Sequence, residues 1–169
     1  MIHVPIPAVI EDVLYKVEQW PVSEQIGAGK LFPTFESLHV LAVGMLLGSL
    51  FMVDLRLLGL AARRYSVRRM SDELTPWTFG AFALALVTGL LLVIVHPTYY
   101  ASNPAFVAKM VLLVLAGTNM LVFHHTIWRS VDGWGDGAVM PIRAKLAGGL
   151  SLLFWVGVIA MGRWIAFFL

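Results

Sequence analysis

Residues 35–60 read FESLHVLAVGMLLGSLFMVDLRLLGL, and from Ser37 to Val53 the run carries no lysine, arginine, aspartate or glutamate. A helix needs about 20 largely apolar residues to cross the roughly 30 Å hydrocarbon layer of a bilayer, and this run supplies them. Beside Phe35 to Leu60, three more stretches pass the same test: Pro76 to Val95, Pro104 to Trp128 and Lys145 to Phe168. Composition agrees. Of the 169 residues 59% are hydrophobic and only 13% charged, whereas a soluble domain carries about 25% charge to form its polar shell. The expected fold class is all-α: an integral membrane four-helix bundle over 35–169, preceded by an N-terminal segment over 1–34.

Two span starts carry local signals. Thr75 ahead of Pro76, and Asn103 ahead of Pro104, read as N-cap residues with proline at the first helical position. Orientation follows from the excess of basic residues on cytoplasmic loops. Arg63, Arg64, Arg68 and Arg69 fall between spans one and two, and Arg129, Arg143 and Lys145 between three and four, while residues 96–103 hold no lysine or arginine. A multi-pass protein of a bacterial inner membrane with both termini periplasmic is expected. The first 34 residues lack the basic segment, apolar run and small-residue cleavage site of a signal peptide. Within them Ile6, Val9, Ile10, Val13, Leu14, Val17 and Trp20 recur at helical spacing, with Glu11, Asp12, Lys16 and Glu18 between. This pattern predicts an amphipathic helix, lying on the outer membrane surface or packed on the bundle or a neighbouring subunit.

The chain has no cysteine, which excludes disulfides, iron–sulfur clusters, thiolate zinc sites and thioether-attached haem. Twelve basic against ten acidic residues give a net charge of +2, without the basic stripe that a phosphate backbone requires. Nucleic acid is not an expected partner; the lipid bilayer is. No hydrolase-type nucleophile set, phosphate loop or zinc motif is present.

Ionisable side chains inside a span are costly and prompt a functional question. Here they are His39, Asp54, Arg56, His96, Lys109, His124, His125 and Arg163, with Glu36 at a border. Counting at about 1.5 Å per residue places His39 roughly 6 Å into span one and His124 and His125 about 30 Å into span three. His96 closes span two at the level of His39. Two histidines on different helices at one depth are what bis-histidine ligation of b-type haem requires; buried histidines also serve as core hydrogen-bonders or proton carriers. Gly89 and Gly117, each seven residues before a histidine, leave room for a flat macrocycle or for close helix packing. At the inner level His124 and His125 diverge by about 100° on one helix, so a second haem there would need Met52, a partner subunit's ligand or a five-coordinate iron. Asp54 lies at the depth of His124 and His125 and is expected to orient one of them. Arg56 can bind a haem propionate or a lipid phosphate. Lys109, Arg163, Tyr99 and Tyr100 can hold propionates, or act as snorkelling cations and an aromatic belt together with Trp77, Trp128, Trp134 and Trp164. Gly44 and Gly48, on the face of span one opposite His39, form a GxxxG step that marks a homo-oligomer contact or packs on Gly148, Gly149 and Gly157 of span four.

The segments SLHVLAVGMLLGSLFMVDLRLLGLAARR, LTPWTFGAFALALVTGLLL and NPAFVAKMVLLVLAGTNMLVFHH, with their DLRLLGL and TPW elements, resemble a family of small uncharacterised bacterial inner-membrane proteins with four spans. The likeness covers roughly Phe35 to His125 and implies topology and bacterial origin, with no activity attached. A looser, architectural resemblance is to four-helix membrane cytochromes b, which hold haem between histidines on their helices. Those with two haems need two ligands at each level, and here the inner level has only adjacent ones.

The expectation is thus a haem b protein, ligated at least by His39 and His96, that moves electrons within or across the membrane; a membrane oxidoreductase acting with a quinone or a redox protein is one form it takes. The alternatives are a cofactor-free proton or ion transporter using Asp54, Lys109 and the histidines, and an accessory structural subunit assembled through glycine faces.

Overall fold

The computed structural model of the chain describes residues 4–62, 64–128, 131, 134 and 139–168; Arg63 and Arg129 lie outside them. The described residues are helical, with no strand: α1 Ala8–Glu18, α2 Pro21–Gly27, α3 Leu31–Leu58, α4 Val67–Val93, α5 Pro97–Ser102, α6 Pro104–Val122 and α7 Ile142–Trp164. A single π-helical turn, Phe123–Ile127, prolongs α6, and a 3-10 turn, Ile165–Phe167, ends α7. Four of these helices are long and apolar enough to cross a membrane, so the protein is a multi-pass membrane protein.

The termini of the spans show which local signals matter. Gly59 takes the left-handed conformation (φ 75°) after α3, and the amides of Gly59 and Leu60 return to the carbonyls of Arg56 and Leu55 at 3.0 and 2.9 Å. Glycine bears that φ without a Cβ penalty and lets the helix stop. At α6 the cap is as expected: the Asn103 side chain accepts from the amides of Ala105 and Phe106, with Pro104 at the first helical position. At α4 the expectation fails. Thr75 is not a cap and Pro76 lies inside the helix, which starts nine residues earlier with the Ser66 hydroxyl accepting from the Arg69 amide at 3.1 Å. The extra turns are polar and held by Arg68 with Asp72 at 3.2 Å and Arg69 with Glu73 at 2.9 Å. Hydropathy finds where a helix enters lipid, not where it begins.

α3 packs extensively on α4 along one side and on α7 along another, and α7 packs on α6; α4 and α6 make no comparable contact. The bundle is therefore open along its α4 to α6 side. α3 and α7 approach closely at Gly148, where a Cβ would stand 3.1 Å from the Asp54 carbonyl oxygen and from Leu57 Cβ. Gly44 and Gly48 take no part in this contact: both are exposed, with no other residue near their missing side chains.

The main buried cluster lies at the end of the bundle away from α5. Leu57, Val67, Phe123, Val131, Met140, Ala144 and Ala147 form it, with Trp128 and Trp134 packed against them. Those two tryptophans thus serve the core, and of the four predicted anchors Trp77 and Trp164 alone have the exposure expected of that role (63% and 55%). The predicted N-terminal helix is α1, and a second short helix that the sequence reading did not include, α2, follows it with Pro21 at its first position. α1 rests on α5, while α2 touches α3 and α4.

Candidate functional site

Near the α5 end of the spans, α3 turns the half-buried His39 toward α4. Its Nδ1 stands 2.9 Å from the Ala85 carbonyl oxygen and 3.1 Å from Thr88 Oγ1. The carbonyl can only accept, and the Thr88 hydroxyl already donates to the Leu84 carbonyl at 2.7 Å. Nδ1 therefore carries the ring hydrogen, and Nε2 keeps its lone pair. The ring is seated on Gly89: a Cβ there would lie 3.0 Å from His39 Cε1 and 3.4 Å from Nδ1. Gly89 thus makes room for the imidazole of the neighbouring helix, not for a group beside His96. Gly117 has no neighbour within 4 Å of a built Cβ.

The structure does not bring His96 to His39. α4 ends at Val93, and His96 lies beyond it as the residue preceding α5. It is exposed, and its Nδ1 donates to Glu18 Oε1 at 3.0 Å. From Gly89, under the His39 ring, to His96 the helical rise is about 10 Å. A metal–imidazole bond of about 2 Å on each side allows only ~4 Å between two ligating nitrogens.

Lys109 of α6 lies within electrostatic reach of His39 and against α7, its Nζ 3.7 Å from where a Gly162 Cβ would stand. Among the described residues it has no hydrogen-bond or ion-pair partner. Arg163 points away, stacked over Phe167 at 5.5 Å. Tyr99 is engaged as well: its hydroxyl donates to the Ile165 carbonyl at 2.9 Å, and Asn103 Nδ2 donates to the same oxygen at 3.0 Å. Burial, with Tyr99 and Glu36 nearby, raises the Tyr100 phenol above its ordinary pKa.

At the other end His124 and His125 occupy the π-helical turn, a geometry that sequence spacing does not announce. Such single turns recur at functional sites. His124 Nδ1 donates to the Met120 carbonyl at 3.0 Å, and its ring stacks on Trp128 at 5.5 Å with Arg68 above the same indole. Both histidines are exposed, as is Met52. Asp54 does not pair with either of them. It is 6% exposed and faces Ser151 of α7, and its Oδ2 has no hydrogen-bond partner. Arg56, 1% exposed, donates from Nε to the Tyr65 carbonyl at 2.8 Å, which turns it into the base of the bundle and away from any propionate or lipid phosphate at the surface.

His39, His96 and His124 share one chemistry. Each bonds through Nδ1 to an oxygen acceptor, which leaves Nε2 as the free donor nitrogen that a metal-ligating histidine presents. No group of three or more histidine, aspartate or glutamate side chains that could hold a metal ion occurs among the described residues. Haem asks less of a protein, because the porphyrin supplies four donors and the chain one or two.

Neither the curated proteins nor the solved structures include a match to this chain. Residues 24–168, which hold His39 and all its partners but not Glu18, match a family model described as a family of unknown function. The chain belongs to that family, DUF6644.

Proposed function

We propose that this protein is a haem b carrier of electrons in the bacterial inner membrane, with His39 as the protein's ligand to the iron. The observation behind this reading is the His39 ring: locked through Nδ1 to the Ala85 carbonyl, seated on Gly89, and presenting Nε2 inside a span. When bound, haem supplies one-electron redox chemistry. The chain fixes the imidazole, and it offers the Lys109 ammonium of α6, within electrostatic reach of His39, as a counter-charge for a propionate. The reading is for one haem. His96 is too far along the bundle to be the opposite ligand, and among the described residues no histidine of another helix stands beside His124. Orientation by charge puts Arg64, Arg68, Arg69, Arg143 and Lys145 in the cytoplasm and His39 in the outer half of the membrane. A quinone or a redox protein would then meet the site from the membrane or the periplasm, and the open Gly44 and Gly48 face would be the contact between copies of the chain.

The test is the visible spectrum of protein purified after expression with ample haem, oxidised and then reduced with dithionite. A Soret band that shifts on reduction is expected. A colourless preparation that also fails to take up added haem would overturn the proposal and favour the cofactor-free reading, in which Lys109 and His39 belong to a proton or ion path.

A further inference from the structure

α1 presents three flanks, and their neighbours differ. Leu14 and Val17, half-buried, are the flank turned to α5, and the segment is tied there by the Val4 amide to the Ser102 carbonyl at 2.9 Å and by Glu18 to His96. About 100 to 140° round the helix from Leu14 lie Val13 and Val9, 54% and 79% exposed, with Ile10 (49%) on the border between the two flanks. Trp20, just past the helix, is exposed as well (54%). The remaining arc is polar: Glu11 stands opposite the valines, about 160° round the helix from each, Asp12 and Gln19 follow, and Lys16, bonded to Asp12 at 2.6 Å with both largely exposed, closes the arc at its border with Val9.

The height of α1 on the bundle decides what covers the valines. α5 spans the short connection between the end of α4 at Val93 and the start of α6 at Pro104. It therefore lies where two membrane-crossing helices leave the hydrocarbon, and α1 rests on it at that level. A bilayer border that meets the exposed valines at this level leaves Glu11 on the opposite side of α1. A helix whose apolar arc is shared between protein on one side and exposure on the next fits the border of a bilayer, where headgroups and upper acyl chains begin.

We infer that α1 is a lipid-interface wedge: Leu14 and Val17 seat it on α5, Val9 and Val13 enter the acyl border, Glu11 faces water, and Lys16, beside Val9, extends its ammonium to the headgroups. The chain contains no cysteine, so single cysteines can be placed without background. V9C, V13C and E11C, each carrying a nitroxide, would be reconstituted into phosphatidylcholine and phosphatidylglycerol vesicles. Their collision rates with dissolved oxygen, which concentrates in lipid, and with a neutral nickel chelate, which stays in water, would then be measured. The expected result is that the ratio of oxygen to nickel accessibility at Val9 and Val13 exceeds that at Glu11 several-fold. Nickel accessibility at Val9 and Val13 equal to that at Glu11 would overturn the inference and place the flank in water. Protection of both valines from both reagents would overturn it too, since it would mean that protein, such as a second copy of the chain, covers them. The two positions are exposed, so one variant that fails to fold leaves the other to decide.

Discussion

An imidazole tied through Nδ1 to a helix carbonyl and resting on a glycine has little freedom to turn, and that gives His39 its value as a fixed donor. Gly89→Ala tests the seat directly. The added methyl would stand 3.0 Å from His39 Cε1, and overpacking of this kind costs about 1–3 kcal/mol. Thermal unfolding in detergent should show that loss, and any haem bound at His39 should shift in spectrum or affinity. Gly117→Ala, with open space at its Cβ, should change neither. The residues of this site were all visible as ionisable or small positions within spans, but their partnerships were not. The spacing of Gly89 from His96 is read along one helix, whereas the ring it accommodates comes from another. No pattern along the chain reports such a contact. Likewise, Asp54 matched His124 in depth, yet depth leaves the azimuth undetermined, and the carboxylate faces Ser151 instead.

Among the helices, the caps separate what local chemistry fixes from what the membrane fixes. Ser66→Ala removes one bond to the Arg69 amide, at an expected cost of about 1 kcal/mol. Asn103→Ala should cost more, because the same side chain caps α6 and also holds the Ile165 carbonyl at the end of α7. Comparing the two melting temperatures checks this order. The exposed pair of His96 and Glu18 is a tether for α1, and such pairs contribute at most about 1 kcal/mol. His96→Ala should therefore loosen α1 and leave the spans folded, which hydrogen exchange of residues 8–18 would report. The start of α6 was legible because Asn followed by Pro is a local signal. The start of α4 was not, because two ion pairs carry that helix through water before its apolar part begins. The existence of α1 was legible in the apolar spacing from Ile6 to Trp20, while the π-helical turn under His124 and His125 has no counterpart in the run FHHTI.

On the scale of the whole molecule, the count and class of the spans were legible, because length and hydropathy alone decide them. Their arrangement was not. α3 meets α7 through Gly148 beside Asp54 and Leu57, leaving the GxxxG step free, and nothing in the spacing of either helix distinguishes those outcomes. Gly148→Leu should drive α3 and α7 apart and lower the melting temperature sharply, whereas Gly44→Leu should leave the monomer's melting temperature unchanged and alter only its association, as read by sedimentation in detergent. The arrangement also bears on the haem proposal. With α4 packed on α3, His39 is held against Ala85 and Gly89 of α4, whereas His96 lies beyond the end of that helix. The most direct measurement is a haem titration of the wild type, His39→Ala and His96→Ala proteins, followed by the Soret band and the reduced minus oxidised difference spectrum. His39→Ala should abolish the bound-haem spectrum while His96→Ala retains it; an unchanged spectrum in His39→Ala would contradict ligation by His39.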